Sequence, residues 1–299
     1  MLHSILNFDG FTTLVPVVWE SLIAGAVLGI AAGLIGPMIQ ARDLAFAVHG
    51  VSELSFAGAG SALFLGVSVT WGSIIGSVVA ALLLAFMGVR ARQRNSVIGI
   101  LLPFGMGLGL LFLSLYKGRT SNKFGLLTGQ IVSVDQQSLD ALCAITLGIA
   151  IVLILVGRPM WFAAIDPVFA RTRGVHTRAL GVLFMLMLGL VCAMAVQMVG
   201  ALLVMSLLIT PAAAAARVSA RPGLQWLLSV VFAVVSAVGG ILLSLGPGLP
   251  ISPYVTSVSF AIYLVCWGIG AVRSRGGWGR RGLASKVSVT ALHAPTQLG

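Results

Sequence analysis

The stretch Val48–Phe56, VHGVSELSF, sets a histidine and a glutamate four positions apart inside a long apolar run, residues 44–66. Whether that run is a soluble core helix or a membrane span decides the fold. The chain of 299 residues is 59% hydrophobic and 8% charged, with a mean hydropathy of +1.08, far from the usual composition of a soluble domain. Its other apolar runs are also about 20 residues long, the length that crosses a hydrocarbon layer of about 30 Å as helix. No long alternation of apolar and polar residues suggests a membrane β-barrel. The reading is an all-α polytopic membrane protein of eight or nine transmembrane helices.

Working outward, nine spans are expected near 14–36, 44–66, 70–89, 96–116, 139–157, 179–198, 200–216, 223–245 and 254–272. Residues 120–138 are a candidate re-entrant piece. The first span is expected to stay, because the start lacks a basic region and a small-residue cleavage pattern.

A net charge of +11 would suggest nucleic acid for a soluble domain, but here the basic residues cluster between spans. Arg42, Arg90, Arg92, Arg94, Arg158, Arg171, Arg173, Arg178, Arg217, Arg221 and the tail from Arg273 to Lys286 fall on one side; Lys117, Arg119 and Lys123 fall on the other. By the positive-inside rule the first side is cytoplasmic. The chain then divides into a short extracytoplasmic N-terminus (1–13), a membrane domain (14–272) and a basic, disordered cytoplasmic tail (273–299). No nucleic-acid partner is expected; lipid is.

Cys143, Cys192 and Cys266 lie in separate apolar runs without CxxC spacing and read as packing residues. Gly25, Gly29 and Gly33 form a small-residue ridge on which another helix can approach closely, and Gly72, Gly76, Gly105, Gly107 and Gly109 read likewise. His3, His176 and His293 read as solvated.

Six of the seven acids fall at span ends or in loops; Glu53 is deep. An unpaired carboxylate at mid-bilayer costs about 2.5 kcal/mol or more on insertion scales, so it faces a cavity, a partner or an ion path. His49 lies one helical turn before it, on the same face. Imidazole nitrogen and carboxylate oxygen together suit a divalent ion such as zinc or manganese. The same pair, bonded to itself, could instead merely join helices. Ser52 and Ser55 can add hydroxyls or simply pack. Gly200 allows a helix to begin against its neighbour; Pro211 breaks the hydrogen-bond ladder four residues back, where Thr210 can repair it. Asp166 before Pro167 fits an N-cap with proline in the first helical position, and Gly174 a stop.

Three stretches together resemble the permease subunits of bacterial ATP-binding-cassette importers for zinc and manganese. AVHGVSELSFAG (47–58) keeps the spacing of that family's Gly-Asp-x-x-x-His-Ala element and its following glycine, Gly58, with His49 at the aspartate position and Glu53 at the histidine position. VGALLVMSLLITPAAAAAR (199–217) is very similar to the family's Val-Gly-Ala-Leu-Leu segment ending in Pro-Ala-Ala. IDPVFARTRGVHTRAL (165–180) is similar to its cytoplasmic Asp-x-x-x-Ala-x-x-x-Gly-Val element, and LLTGQIVSVDQQSL (126–139) is a fainter echo.

The resemblance implies a transport subunit, not an enzyme, of the bacterial plasma membrane. His49 and Glu53 would be transient ligands of a transported dication, with no permanently bound cofactor. Ser52, Gly200, Thr210 and Pro211 would line or break the pathway helices. Asp166, Ala170 and Gly174 would belong to a docking element, residues 165–178, for a cytoplasmic ATPase subunit. A second copy of the permease and an extracytoplasmic metal-binding protein are the other implied partners, the latter within reach of Lys117, Arg119 and Lys123. No G-x-x-x-x-G-K-[ST] occurs, so ATP would act only through the partner. A proton-coupled carrier, or an importer of a metal chelate, is the alternative. Neither H-E-x-x-H nor G-x-S-x-G is present to suggest an intramembrane enzyme.

Overall fold

Apart from closed barrels, only helices satisfy their backbone polar groups inside lipid, and among the described residues the chain is helical throughout. A computed structural model describes residues 19–87, 91–118, 136–245 and 251–277. Its elements are α1 (Trp19–Ala41), α2 (Ala45–Leu65), α3 (Val69–Met87), α4 (Ala91–Leu115), α5 (Gln136–Ile165), the short α6 (Pro167–Thr172) and α7 (Thr177–Val199). A 3₁₀ turn (Ala201–Leu203) leads into α8 (Val204–Leu208) and α9 (Thr210–Val218), followed by α10 (Pro222–Leu245) and α11 (Ile251–Gly277). Every expected span has its counterpart, the seventh as the broken segment from the 3₁₀ turn to α9.

Three boundaries lie further on than expected. α1 runs to Ala41 through Pro37, α5 to Ile165 through Pro159, and α11 to Gly277 past Arg273. Proline reads as a stop in water. In a bundle, neighbouring helices can take up the backbone groups that a proline frees, so α1 and α5 continue. The candidate re-entrant piece, most of the 126–139 echo, the N-terminal segment and the tail beyond Gly277 lie outside the described residues.

Among the described residues, seven helices are long and apolar enough to cross a membrane: α1, α3, α4, α5, α7, α10 and α11. The eighth long helix, α2, has 21 residues, with six serines and glycines between Gly50 and Ser61 and both ionisable groups. It is sheltered by packing instead: α3, α4 and α7 surround it. α1 and α7 are the other inner helices, with 67% and 61% of their spans buried, against 17% for α11 and 22% for α4 and α5. Exposed Ile154, Leu155, Trp267 and Val265 mark outer faces suited to lipid.

Small residues set the close crossings. A Cβ added at Gly29 would lie 2.8 Å from Val234 Cα, so the α1 ridge seats α10 backbone to backbone. Gly58 meets Gly72 and Gly76 where α2 crosses α3, and Gly105 and Gly109 lie against α2. Gly107 has open space, so that one glycine of the run is not at a crossing. Cys192 is fully buried and all three cysteines are free thiols.

Candidate functional site

The polar centre of the bundle is one turn of α2. His49 Nδ1 and Glu53 Oε1 are 3.8 Å apart, on the shared face that i and i+4 positions give a helix. Glu53 is buried, with 4% of its side chain exposed, whereas His49 retains 31% and is the more accessible of the two. Nδ1 is shielded and makes no hydrogen bond among the described residues. At 3.8 Å the two groups are close enough for ion pairing but beyond a hydrogen bond. A cation between them could take one donor from each.

α4 holds this turn in place. A Cβ on Gly105 would come 2.8 Å from the carbonyl carbon of Glu53, and Gly50 receives the Ile98 side chain. Gly105 was read from sequence as a packing residue; its position beside Glu53 could not be read from spacing, because the two are 52 positions apart on different helices. On the α7 side the Ser52 hydroxyl donates to Val48 O at 2.7 Å, and Cys192 Sγ lies 3.9 Å from the same carbonyl. Ser52 therefore spends its proton within its own helix. Ser55, likewise buried, donates across to Ser73 O on α3 at 3.1 Å.

Among the described residues, no group of three or more His, Cys, Asp or Glu is arranged to hold a metal ion. One chain thus offers two side-chain donors at this turn, which suits passage rather than retention; structural zinc sites close with four ligands.

The broken segment is the second polar region. Gly200 ends α7 with φ +87° and ψ 151°, a conformation costly for any residue with a Cβ. What the structure shows at Gly200 is this conformational requirement, which the sequence reading did not name. The carbonyl of Val199 accepts from Ser252 Oγ of α11 at 2.7 Å. Ser206 and Thr256 hydroxyls are 3.2 Å apart, and Ser259 donates to Ser206 O at 3.2 Å. α11 therefore stitches the broken helix with hydroxyls. The break before Pro211 falls at Ile209, between α8 and α9. Among the described residues the Thr210 hydroxyl does not repair it; the Gln40 side chain of α1 reaches Ile209 O at 3.5 Å, a carbonyl that also accepts from Ala213 N at 2.9 Å. The amide of glutamine, absent from the sequence reading, had no local signal to mark it.

At the arginine end, Asp166 caps α6. Its Oδ1 accepts from Val168 N at 3.1 Å and Phe169 N at 2.9 Å, with Pro167 in the first turn. Ala170 is fully buried, and Gly174 takes φ +78° where the chain turns toward α7. The helix is therefore a rigid, capped step on an exposed loop. His176 is exposed there, as expected of a surface residue.

The model of the ABC 3 transport family matches residues 15–269. The chain is 31% identical over 226 residues to the manganese transport system membrane protein MntC of Halalkalibacterium halodurans, covering 75% of this chain and 77% of that one. It is 26% identical over 247 residues to the manganese import system permease protein ScaB of Streptococcus parasanguinis, 82% of this chain and 88% of that one. Among solved structures, PsaBC from Streptococcus pneumoniae in complex with Fab shares the fold with a TM-score of 0.78 at 22% identity, covering 87% of this chain and 95% of its own. An ABC transporter described as of metal-chelate type, in an inward-facing conformation, shares it less closely, with a TM-score of 0.65 at 16% identity over 84% of this chain and 85% of its own. With a family match over nearly all of its helical bundle, the chain belongs to the ABC 3 transport family and is a multi-pass membrane subunit of an ABC transport system.

Proposed function

We propose that this chain is the permease of a bacterial importer for a divalent metal ion, manganese before zinc, and that His49 and Glu53 are ligands of the ion in transit. The observation that carries this is the 3.8 Å pairing of imidazole and carboxylate on the one long helix sheltered by three others. The manganese relatives support the choice of cargo, since MntC and ScaB are both named for that metal.

Two donors leave most of the ion's coordination to water, backbone carbonyls or a second copy of the chain, which fits a homodimer meeting along the pathway. Residues 165–178 are the grip for a cytoplasmic ATPase subunit, with Asp166 stiffening the step, Ala170 seating it and Gly174 ending it. An extracytoplasmic binding protein hands over the ion on the opposite side, where the N-terminus lies; the C-terminus is cytoplasmic. ATP closure of the partner subunits shifts the bundle between outward- and inward-open populations. The broken segment at Gly200 and Pro211 supplies a joint for that shift, since the hydroxyls that hold it on α11 can exchange partners at little cost.

The test is metal accumulation in cells carrying His49→Ala or Glu53→Gln at normal membrane levels of the protein. Uptake falling by about tenfold or more is expected, since even outer partners of metal ligands matter by that factor. Unchanged uptake removes the pair as ligands.

A further inference from the structure

The proposed docking step and the His49–Glu53 turn lie on different helices, and Arg42 stands between them. The chain reverses tightly after α1: Asp43 N donates to Gln40 O at 3.2 Å and Leu44 N to Ile39 O at 3.0 Å, with Asp43 at φ +52°. Such paired bonds around a left-handed residue are a Schellman helix end, with Arg42 as its cap, and leave the chain no slack. α2 starts at once, Val48 N donating back to Leu44 O at 3.1 Å. His49 follows about one turn into α2, so no flexible loop separates it from Arg42.

The Arg42 side chain leaves this reversal and crosses to two other helices. Its Nη2 donates to Met160 O of α5 at 3.3 Å, and its guanidinium lies 5.2 Å from the centre of the Phe184 ring of α7. Nη1 rests over Gly181, 3.8 Å from where a Cβ would stand. These contacts fall on the end of α5 and the start of α7, the two helices that α6 joins. That junction is stiff: Asp166 N donates to Phe162 O at 3.1 Å, Val175 N to Ala170 O at 3.0 Å, and Arg171 Nε to the Thr177 hydroxyl at 2.9 Å. A push on α6 therefore reaches the helix ends that Arg42 holds.

The hold is incomplete in this arrangement. Arg42 Nε is buried and has no hydrogen-bond partner among the described residues, and a buried donor left unpaired is costly. Beside the guanidinium is a cleft of about 400 Å³ whose other walls include Ala163, Pro167, Arg171 and Arg178. The docking step has room to close toward it. An unpaired donor facing helices with space to move suits a group that exchanges partners between two arrangements of the bundle.

We infer that Arg42 is a positioning residue of transport, passing movement of residues 165–178 under the ATPase subunit to the α2 turn that carries His49 and Glu53. The inference rests on the proposed docking and pathway roles and adds the link between them. On those roles Arg42 touches neither the ion nor the ATPase subunit, so its loss uncouples flux from hydrolysis while the grip persists.

Manganese flux and ATP hydrolysis are measured together on the complete importer in proteoliposomes. Arg42→Gln is expected to lower the flux per ATP hydrolysed by about fivefold or more, the low end of coupling between distant sites, with the ATPase subunit still copurifying. Arg42→Lys keeps a cation in the same space but cannot both donate to Met160 O and lie flat on Phe184, so it should fall between. Arg158→Gln, an exposed arginine on the same end of α5, should keep the unmodified ratio. An unmodified ratio in Arg42→Gln overturns the inference. Lost copurification with lowered melting in both Arg42 variants makes the residue a structural tie and overturns it too. Glu53→Gln in the same assay separates the link from the pathway. Slowed flux there beside an unmodified ratio in Arg42→Gln removes only the link, whereas unchanged flux there removes the ion path and the inference with it.

Discussion

α2 and the segment from Gly200 to Val218 both bring polarity into an apolar bundle, by opposite means. α2 is an unbroken helix whose backbone is fully bonded and whose side chains, His49 and Glu53, carry the polarity. The segment after Gly200 has mostly apolar and small side chains up to Arg217, and much of its polarity lies in backbone groups at a glycine turn and a proline break, beside the Ser206 hydroxyl. On the proposed function, the first arrangement holds the ion and the second supplies the joint. A transporter needs both, and the difference shows why they sit on different helices: a joint within α2 would separate the two donors.

The largest effects should come from breaking the α2 side of this comparison. His49→Ala or Glu53→Gln is expected to abolish most uptake, while the double exchange His49→Asp with Glu53→His, which restores one nitrogen and one carboxylate on the same turn, should recover most of it. Metal accumulation in cells reads both; a double variant as inactive as the singles would show that something other than ligand type matters at these positions. Gly105→Leu should come next, since its side chain must displace α4 from the Glu53 backbone. Overpacking of this kind costs about 1–3 kcal/mol, seen as a lower melting temperature of the purified protein together with reduced uptake.

On the broken segment, Gly200→Val should destabilise by about 1–3 kcal/mol because φ +87° is strained for a branched residue. Thermal melting checks this, and Gly200→Ala should lie between the two. Smaller still is Ser252→Ala, which leaves Val199 O unpaired; hydrogen bonds between membrane helices average about 0.6 kcal/mol. If Ser252→Ala slowed uptake without changing melting, the hydroxyl would act on the motion rather than on the resting state. Asp166→Ala removes the α6 cap, worth about 1 kcal/mol locally. Its expected signature is weaker copurification of the ATPase subunit with global melting nearly unchanged.

Much of this was legible in the sequence, and for definite reasons. Span length follows from bilayer thickness, so each expected span has a helix, and the i, i+4 relation of His49 and Glu53 is a property of any helix. The Asp166-Pro167 start and Gly174 turn were readable because caps are local. What could not be read are relations between helices. Gly105 against Glu53, Gln40 on Ile209, Ser252 on Val199 and the grouping of Arg42 with Arg171 and Arg178 all join residues distant in sequence, with no spacing to announce them. The ends of α1 and α5 lie beyond the expected 36 and 157, the helices continuing through Pro37 and Pro159.

Manganese flux into proteoliposomes containing the complete importer, compared between the unmodified permease and Glu53→Gln with ATP hydrolysis followed in parallel, bears most directly on the two-donor turn. Flux at least tenfold slower with hydrolysis still running is the predicted result, because the ion loses a ligand while the ATPase grip is untouched. Equal flux in the two preparations would contradict the assignment of that turn as the path of the ion.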